Sequence, residues 1–248
     1  FLHIPRVVMM SATVRPKTAD LLGIGADVRE FHEYPSVFPV SRRPVYWLPT
    51  ARLNHSSSQE ELKTWVVRID QILGRRLDRK GIVHTVSYSR QQFFLAHSRF
   101  CEFMYANTPE TTQKVIKAFR EAAAPAILVS PSVGTGFDFP YEQARFQIIA
   151  KMPFRDARGA IIRVQAEDDP DYLNYLTAQD LLQTYGRAVR APDDFAECWI
   201  VDDHIEWFIR KYSSFFPKYF LDAFERVDNV MDPPDLDLVE SIRVQETG

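Results

Sequence analysis

The sequence has few of the residues that mark a metal site, a disulfide framework or a membrane span. It contains only two cysteines, Cys101 and Cys198, without a CxxC spacing, and its six histidines show no HExxH pattern. No apolar run is long enough to cross a bilayer, and the first five residues, FLHIP, lack the charged n-region of a secretory signal. We therefore predict an intracellular protein without a membrane partner and without a metal site.

An excess of basic charge is also missing. Lys and Arg number 30 and Asp and Glu 33, which gives a formal net charge of −3. This balance argues against a strongly basic nucleic-acid binder. The net charge does not exclude a local basic surface, because phosphate binding depends on where the cations lie rather than on their number.

Two catalytic signatures are absent as well. No GxxxxGK[ST] segment occurs, so the chain has no P-loop to hold nucleotide phosphates. No set of nucleophile, histidine and aspartate stands out either. We predict that this chain does not catalyse hydrolysis by itself, and its start without a Met leads us to expect a fragment of a longer polypeptide.

Short β-rich apolar runs alternate with helical stretches, a pattern typical of an α/β fold with a doubly wound, mostly parallel sheet flanked by helices. Residues 31–58 are predicted to be an irregular connection, and the acidic end with Pro233-Pro234 a weakly ordered tail. Predicted strands cover residues 6–10, 45–48, 82–86, 100–105, 126–130, 146–152 and 198–202, and predicted helices cover 59–76, 90–98, 109–123, 171–189 and 205–212.

The segment of residues 183–190 (QTYGRAVR) carries the strongest chemical signal. Gln183, Arg187 and Arg190 are spaced i, i+4 and i+7, so on a helix they share one face. Gly186 lies between them although it costs about 1 kcal/mol of helix stability relative to Ala, which predicts a close backbone approach. Two guanidiniums on one face suit phosphate oxygens; a surface helix with ordinary arginines is the alternative.

Two predicted strands run into loops that suit phosphate binding at the carboxyl edge of a sheet. Residues 126–130 lead into PSVGTGFDFP, where Gly134 and Gly136 expose backbone N–H groups and Asp138 could accept from a hydroxyl or orient an arginine. Residues 81–86 end in Ser87-Tyr88-Ser89-Arg90 at a predicted helix start. A plain turn and an ordinary N-cap at Ser89 are the alternatives.

Taken in order, these segments resemble the second half of a superfamily-2 helicase. Ser11-Ala12-Thr13 resembles motif III, residues 81–90 motif IV, residues 127–140 motif V and residues 183–190 motif VI. The SVGTGFDF form of motif V, Pro153-Phe154 after a strand and the long insert that ends at Tyr172 are similar to the XPD/DinG (Rad3-like) branch.

This resemblance implies a RecA-like domain, a P-loop NTPase-type fold lacking the P-loop. Residues 1–16 would end a first motor domain and cross over, 17–226 would form the second RecA-like domain, and 227–248 an acidic tail. ATP and Mg²⁺ would bind in the full-length parent, whose N-terminal RecA-like domain and single-stranded DNA would be the partners, with the 5′-to-3′ direction typical of the branch. The iron–sulfur cysteines of several relatives lie in the half that this chain lacks.

The resemblance also assigns roles to residues. Arg190 would be the arginine finger that reaches the γ-phosphate, Arg187 would support it, and Gln183 would orient water or phosphate. Because the first domain holds that ligand, we expect both arginines to be exposed here, without an evident partner. The remaining expected roles are ATP contacts by Gly136, Asp138 and Gly186, nucleic-acid contacts by Ser87, Tyr88, Ser89, Arg90, Ser132, Val133, Gly134 and Thr135, and coupling by Ser11, Ala12 and Thr13.

Two other functions stay open at this stage. An RNA helicase of the DEAD or DEAH type has the same motif order. A degenerate RecA-like scaffold for protein interaction or regulation would keep the fold without motor function. The set of Gln183, Arg187 and Arg190 favours a motor, because a scaffold needs no such face.

Overall fold

The computed structural model describes residues 6–133 and 136–235, and within these ranges one sheet organises the chain. Its strands are β1 Val45–Trp47, β2 Lys80–His84, β3 Met104–Ala106, β4 Ala126–Ser130, β5 Phe146–Ile149, β6 Glu197–Ile200 and β7 Phe224–Arg226. They lie in the order β3-β4-β2-β5-β6-β1-β7, and all of the strand pairs are parallel. The predicted doubly wound, mostly parallel α/β sheet is confirmed.

Helices cover both faces of this sheet. They are α1 Pro16–Leu21, α2 Gln59–Leu73, α3 Tyr88–His97, α4 Thr112–Glu121, α5 Ala160–Asp168, α6 Tyr172–Tyr185, α7 His204–Tyr212 and α8 Lys218–Ala223. Short 3₁₀ turns lie at Ala26–Val28, Val40–Arg42, Cys101–Phe103, Tyr141–Gln143 and Ser213–Phe215.

Alternation along the strands divides the core into two layers. On β6, Trp199 packs with α2 and α3, whereas Cys198 and Ile200 pack with α6, α7 and α8. This period of two follows from the pleat, which points successive side chains to opposite faces. Trp65 of α2 fixes the first layer further, because its indole N–H donates to the Ala150 carbonyl oxygen at 2.6 Å. A helix on each face therefore seals the buried sheet.

The start of α2 follows directly from its sequence. Ser58 Oγ accepts from the Glu61 backbone N–H at 3.2 Å, and the Glu61 carboxylate accepts from the Ser58 N–H at 2.7 Å, which is a capping box. The predicted apolar stripe of this helix is confirmed, since its six members, Leu62, Trp65, Val66, Ile69, Ile72 and Leu73, are all buried.

The predicted strand over residues 6–10 does not form. These residues are exposed, Val8 at 83% and Met10 at 89%, and no strand of the described sheet pairs with them. An apolar β-rich run becomes a strand only when a neighbouring strand takes its backbone N–H and C=O groups. The predicted strand over 100–105 is also shorter than expected, because a 3₁₀ turn occupies Cys101–Phe103 before β3.

Several predicted helix ends were wrong, and helix α2 ends at Leu73 rather than Arg76. Helix α4 begins at Thr112 rather than Pro109, because residues 108–111 form a turn in which Thr111 N–H donates to the Thr108 carbonyl at 3.2 Å. Helix α6 ends at Tyr185 rather than Val189, with Gly186 as its C-cap. Four elements were not predicted, namely α1, α5, α8 and β7.

Residues 227–235 are not a weakly ordered tail. Val227 and Val230 are buried, the Val227 N–H donates to the Trp47 carbonyl at 2.9 Å, and Arg75 forms an ion pair with Asp232. The acidic composition was misleading because two valines anchor the segment at the end of β7. Residues 236–248 lie outside the described residues, and the three predicted domain boundaries stay predictions.

A buried ion pair joins α2 to the sheet. Arg76 Nε lies 2.5 Å from Glu197 Oε2, and Arg76 Nη2 lies 2.9 Å from Glu197 Oε1, with both side chains almost fully buried. The guanidinium carbon also lies 4.7 Å from the centroid of the Trp199 ring. A two-point pair of this kind fixes the turn after α2 against β6.

Replacing Glu197 by Ala should lower the free energy of unfolding by about 3–5 kcal/mol, because the Arg76 guanidinium would stay buried without a counter-ion. Denaturant unfolding measures the change. The matched control is Glu225→Ala on β7, whose side chain is exposed, with an expected change within about 0.5 kcal/mol. Equal effects of the two substitutions would contradict the role given to the pair.

Candidate functional site

The candidate site lies at the edge of the sheet where the strands end. Because the strands are parallel, the segments after β2, β4, β5 and β6 all leave from the same edge. Motifs IV and V follow β2 and β4, which are paired neighbours, with His84 opposite Ser130. The structure thus brings together the two loops that the sequence singled out separately.

Motif IV forms a strained turn that starts α3. Val86 has a φ of +65°, which a β-branched residue adopts only at a cost of about 1–3 kcal/mol. Ser87, rather than Ser89, is the N-cap, and its Oγ accepts from the Arg90 backbone N–H at 3.4 Å. Ser89 is exposed beside it, with the two hydroxyl oxygens 3.2 Å apart. Because the helix is capped at Ser87, Ser89 lies inside the first turn, where its side chain is exposed to solvent.

Motif V divides into an exposed and a buried part. Ser132 is exposed and its Oγ accepts from Asn107 Nδ2 at 3.3 Å, whereas the Val133 side chain is fully buried. Gly136 has a φ of +83° and open space around the position of a Cβ, so its conformation favours glycine. Gly134 and Thr135 lie outside the described residues.

Motifs V and VI meet at the Asp138 carboxylate. Arg187 Nη1 donates to Asp138 Oδ1 at 3.1 Å and to the Phe137 carbonyl at 3.2 Å, and Arg190 Nη2 donates to the same Oδ1. The Phe139 N–H in turn donates to the Arg187 carbonyl at 3.1 Å. Two cations therefore converge on one carboxylate, which makes a compact, net positive group.

The geometry of motif VI differs from the prediction in two respects. Helix α6 ends before Arg187, so Gln183, Arg187 and Arg190 do not share one helix face. Gly186 caps the helix, and a Cβ there would make only ordinary contacts, 3.5 Å from the Leu182 carbonyl oxygen. Among the described residues the expected close backbone approach is therefore not seen, and the glycine ends the helix instead.

The expectation of two exposed arginines without a partner was also wrong. Arg187 is buried at 9% exposure, and both guanidiniums bind Asp138. The Arg190 side chain is 38% exposed and so stays accessible from solvent. Asp138 was expected either to contact a nucleotide sugar or to pair with such an arginine, and the structure shows the pairing.

Motif III packs against motif VI. Thr13 is buried, and its Oγ1 accepts from Gln183 Nε2 at 3.3 Å. Ser11 Oγ accepts from the Thr13 N–H at 3.2 Å, and the Ala12 carbonyl accepts from the Tyr219 hydroxyl at 3.2 Å. The tripeptide is thus held on this domain, although the residues before it are exposed.

Two buried aspartates hold loops at the ends of the strands, Asp194 before β6 and Asp202 after it. Asp194 accepts from the backbone N–H groups of Tyr141, Phe195 and Arg190 at 2.8–3.3 Å and lies 3.4 Å from Arg145. It thereby fixes the backbone of Arg190. Burial raises the pKa of the Asp194 carboxyl, whereas these hydrogen bonds lower it. Its only sequence signal is an acidic residue in the turn after motif VI.

Asp202 has the corresponding role after β6. It is fully buried and accepts from the N–H groups of Met152 at 2.8 Å, His204 at 3.0 Å and Leu53 at 3.4 Å. These donors belong to the segments after β5, β6 and β1, respectively. One carboxylate thus replaces the strand partners that three loops lose where the sheet ends.

A cavity of about 450 Å³ adjoins motif VI. It lies between residues 31–38 and the end of α6, and its wall is mainly apolar. Aromatic residues of this stretch, which gave no signal in the sequence, form much of the wall. The lining includes Phe31, Tyr34, Arg43, Tyr185, Arg190 and Tyr219.

Comparison with known proteins decides the family. The family model described as the helicase C-terminal domain matches residues 55–222, more than half of the chain. This chain belongs to the helicase C-terminal domain family. The match, together with the fold, confirms the resemblance to the C-terminal domain of an XPD/DinG-type superfamily-2 helicase.

Solved structures share the fold of this helicase domain. Xpd4 of S. tokodaii aligns with a TM-score of 0.55 at 13% identity, over 75% of this chain and 39% of that one. An XPD helicase aligns at 0.56 and 14% identity, over 74% and 35%. S. cerevisiae Dbp5, bound to RNA and ADP BeF3, aligns at 0.55 and 14%, over 95% and 53%. These likenesses confirm the RecA-like fold, and the chain spans about half or less of each relative's length.

None of the curated proteins matches the sequence significantly. In the described part of the helicase domain, no helix is long and apolar enough to span a membrane. The same residues contain no group of three or more His, Cys, Asp and Glu side chains that could hold a metal ion.

His84 lies buried at the end of β2, next to the motif IV turn. Burial is the main cause that lowers the pKa of its imidazole from 6.5 to about 4; a side-chain hydrogen bond with Gln147 raises this pKa and the charge of Arg187 lowers it. Its Nε2 has no hydrogen-bond partner among the described residues. The ring is therefore neutral at pH 7, in keeping with a strand histidine rather than a ligand.

Because the folded-state pKa of His84 is depressed, its contribution to stability is present above pH 6.5 and is lost as the pH falls through about 4. Between pH 7 and pH 4 the free energy of unfolding should fall by up to about 3 kcal/mol more than in a His84→Gln variant. Urea unfolding of both proteins at several pH values measures the difference. Parallel pH profiles would contradict this assignment.

Proposed function

We propose that this domain is the second motor domain of an ATP-dependent DNA helicase. In that role Arg190 reaches the γ-phosphate of an ATP molecule held by a first RecA-like domain. The observation that supports this proposal most is the convergence of Arg187 and Arg190 on Asp138. A protein without phosphate chemistry has no need to gather two guanidiniums there.

The two arginines differ in a way that suggests different tasks. Arg187 is buried and also bonds the Phe137 carbonyl, so its guanidinium is fixed. Arg190 is more exposed and its backbone is fixed by Asp194, so its side chain can turn from Asp138 to an incoming anion. Charge develops on the γ-phosphate oxygens during phosphoryl transfer, and an arginine finger is worth about 10³–10⁵ in rate.

Gln183 and motif III would couple this chemistry to domain movement. Gln183 is exposed next to the cluster, where it could orient water or phosphate, and it already donates to Thr13. Ser11, Ala12 and Thr13 lie at the chain's entry into the domain. A movement of Gln183 that follows a change in its γ-phosphate contacts would therefore also move the segment that leads to the first domain.

The residues of this chain do not fit a Mg²⁺ site. Asp138, the carboxylate of the cluster, is taken up by two guanidiniums, and the described residues form no metal-binding group. Mg²⁺ and the phosphate cradle are expected from the first domain, and the isolated chain is expected not to hydrolyse ATP. Gly136, Asp138 and Gly186 would line the cleft from this side.

The nucleic-acid strand would contact motifs IV and V. Their polar side chains lie on adjacent loops at the carboxyl edge, and hydroxyl and N–H groups at such edges suit backbone phosphates. The strained Val86 turn keeps Ser87, Ser89 and Arg90 at this edge. Tyr88 and Ser132, with the backbone of residues 133–135, would complete the contact.

An RNA helicase is the second candidate. The fold shared with Dbp5, a protein whose structure holds RNA, is compatible with it. The form of motif V and the spacing between motifs V and VI favour the XPD/DinG branch and hence DNA. Unwinding assays of matched DNA and RNA duplexes by the full-length parent separate the two, since only a preference for DNA supports the proposal.

A degenerate scaffold is the third candidate. The paired arginine cluster argues against it, because a scaffold has no use for an accessible arginine at a strand edge. Reading the upstream sequence is the most direct test. A P-loop and a DExH-type acidic box are expected there, and their absence would favour the scaffold.

In the full-length parent, Arg190→Ala should lower nucleic-acid-stimulated ATP hydrolysis by at least about 10³-fold and leave much of the nucleotide binding intact. A coupled ATPase assay and nucleotide titration measure the two effects. The matched control is Arg163→Ala, at an exposed position on α5, which should keep its activity. Near-normal turnover of the Arg190 variant would refute its role as the finger.

A further inference from the structure

Lys151 follows β5 and lies half-buried between motif IV and the segment after β6. Its ammonium makes no hydrogen bond or ion pair with any residue that the structure describes. Burial lowers its pKa, and the neighbouring charge of Arg90 lowers it further, whereas Asp202 raises it. A partly desolvated cation without a direct counter-ion is costly, so its presence calls for an explanation.

Arg90 is in a similar position in the first turn of α3, which follows β2. Its guanidinium donates to the Asn54 carbonyl oxygen, a neutral acceptor, and it forms no ion pair with the described residues. Burial lowers the pKa of Arg90 as well. The strand ends that carry the two cations are paired neighbours, with His84 of β2 opposite Ile149 of β5. Such strands lie about 4.8 Å apart.

The nearby Asp202 does not neutralise this pair. Its oxygens already accept from three backbone N–H groups, and His204 Nδ1 lies 2.7 Å from Oδ1. Formally, one carboxylate faces two cations, which leaves a charge of +1 at the edge of the sheet. An anion that enters here would gain two charge-assisted contacts and displace little existing structure.

We propose that Lys151 and Arg90 together bind one phosphate of the single-stranded nucleic acid. The nucleic acid would then contact the protein at the end of β5 as well as at the ends of β4 and β2. This inference rests on the proposed nucleic-acid grip and adds a residue to it. Ser87 and Ser89 lie in the same first turn as Arg90, so their hydroxyl groups would be further donors to this phosphate.

The test uses Lys151→Met, which keeps an apolar stem for packing but removes the charge. Binding of a fluorescent oligothymidylate to this chain is followed by anisotropy between 50 and 200 mM salt. We expect at least a 5-fold weaker affinity at 50 mM salt, and a slope of log K against log[salt] that is smaller by about 0.7, the value for one phosphate contact on a single strand. Lys151→Arg should keep both.

Lys117→Met on α4 is the matched control, because Lys117 is exposed and paired only with Glu121 on its own helix. It should change neither affinity nor slope. Thermal unfolding provides a second readout. If Lys151 has a binding role, its replacement by Met should leave the melting temperature equal or higher, since an unpaired desolvated charge is removed. A purely structural lysine would give a lower melting temperature.

The outcomes separate this inference from the proposed function. Unchanged affinity and slope in Lys151→Met would overturn the inference and leave the grip by motifs IV and V intact. A loss of ATP binding in a parallel titration, with normal strand binding, would assign the site to a nucleotide and also overturn it. If the unmodified chain does not bind the oligonucleotide, the proposed grip and this inference both fail.

Discussion

The parallel direction of all seven strands is the constraint on which the rest of the structure depends. It places the segments after β1, β2, β4, β5 and β6 at one edge, where their backbone N–H groups lose the strand partners that satisfied them. Asp202 supplies an acceptor in their place for the segments after β1, β5 and β6, and Asp194 does the same for the segments before β5 and β6. These buried carboxylates hold the loops in fixed positions, and the exposed functional side chains rest on that framework.

Charge at this edge is arranged in two different ways. Arg187 and Arg190 share the Asp138 carboxylate, which keeps both guanidiniums in place while no phosphate is present. Lys151 and Arg90 have no such acid, because the nearest carboxylate is engaged by backbone N–H groups. In the proposed function, the first group would release Arg190 to a phosphate, and the second would bind a phosphate that supplies the missing negative charge.

Most of the strands and the longer helices were predictable because local signals fix them. Residues 126–130 are a continuous apolar run, and β4 has these bounds; Ser58 and Glu61 announce the start of α2. The wrong predictions lie where residues far apart in the sequence interact. Helix α6 stops at Tyr185, where motif V takes the next backbone groups, and residues 227–235 are ordered by packing against β1 and α2. Residues 6–10 have a strand-like composition but pair with no strand of the described sheet.

The sequence by itself determined the fold class and singled out Arg187 and Arg190 as the arginines of motif VI. It did so because the hydrophobic period and the order of the motifs can be read directly along the chain. It could not determine that Arg187 is buried against Asp138, that Gln183 donates to Thr13, or that Lys151 lies within the electrostatic influence of Arg90. Those arrangements arise when strands far apart in sequence pair side by side. Only that pairing decides which charges become neighbours and which are left without a partner.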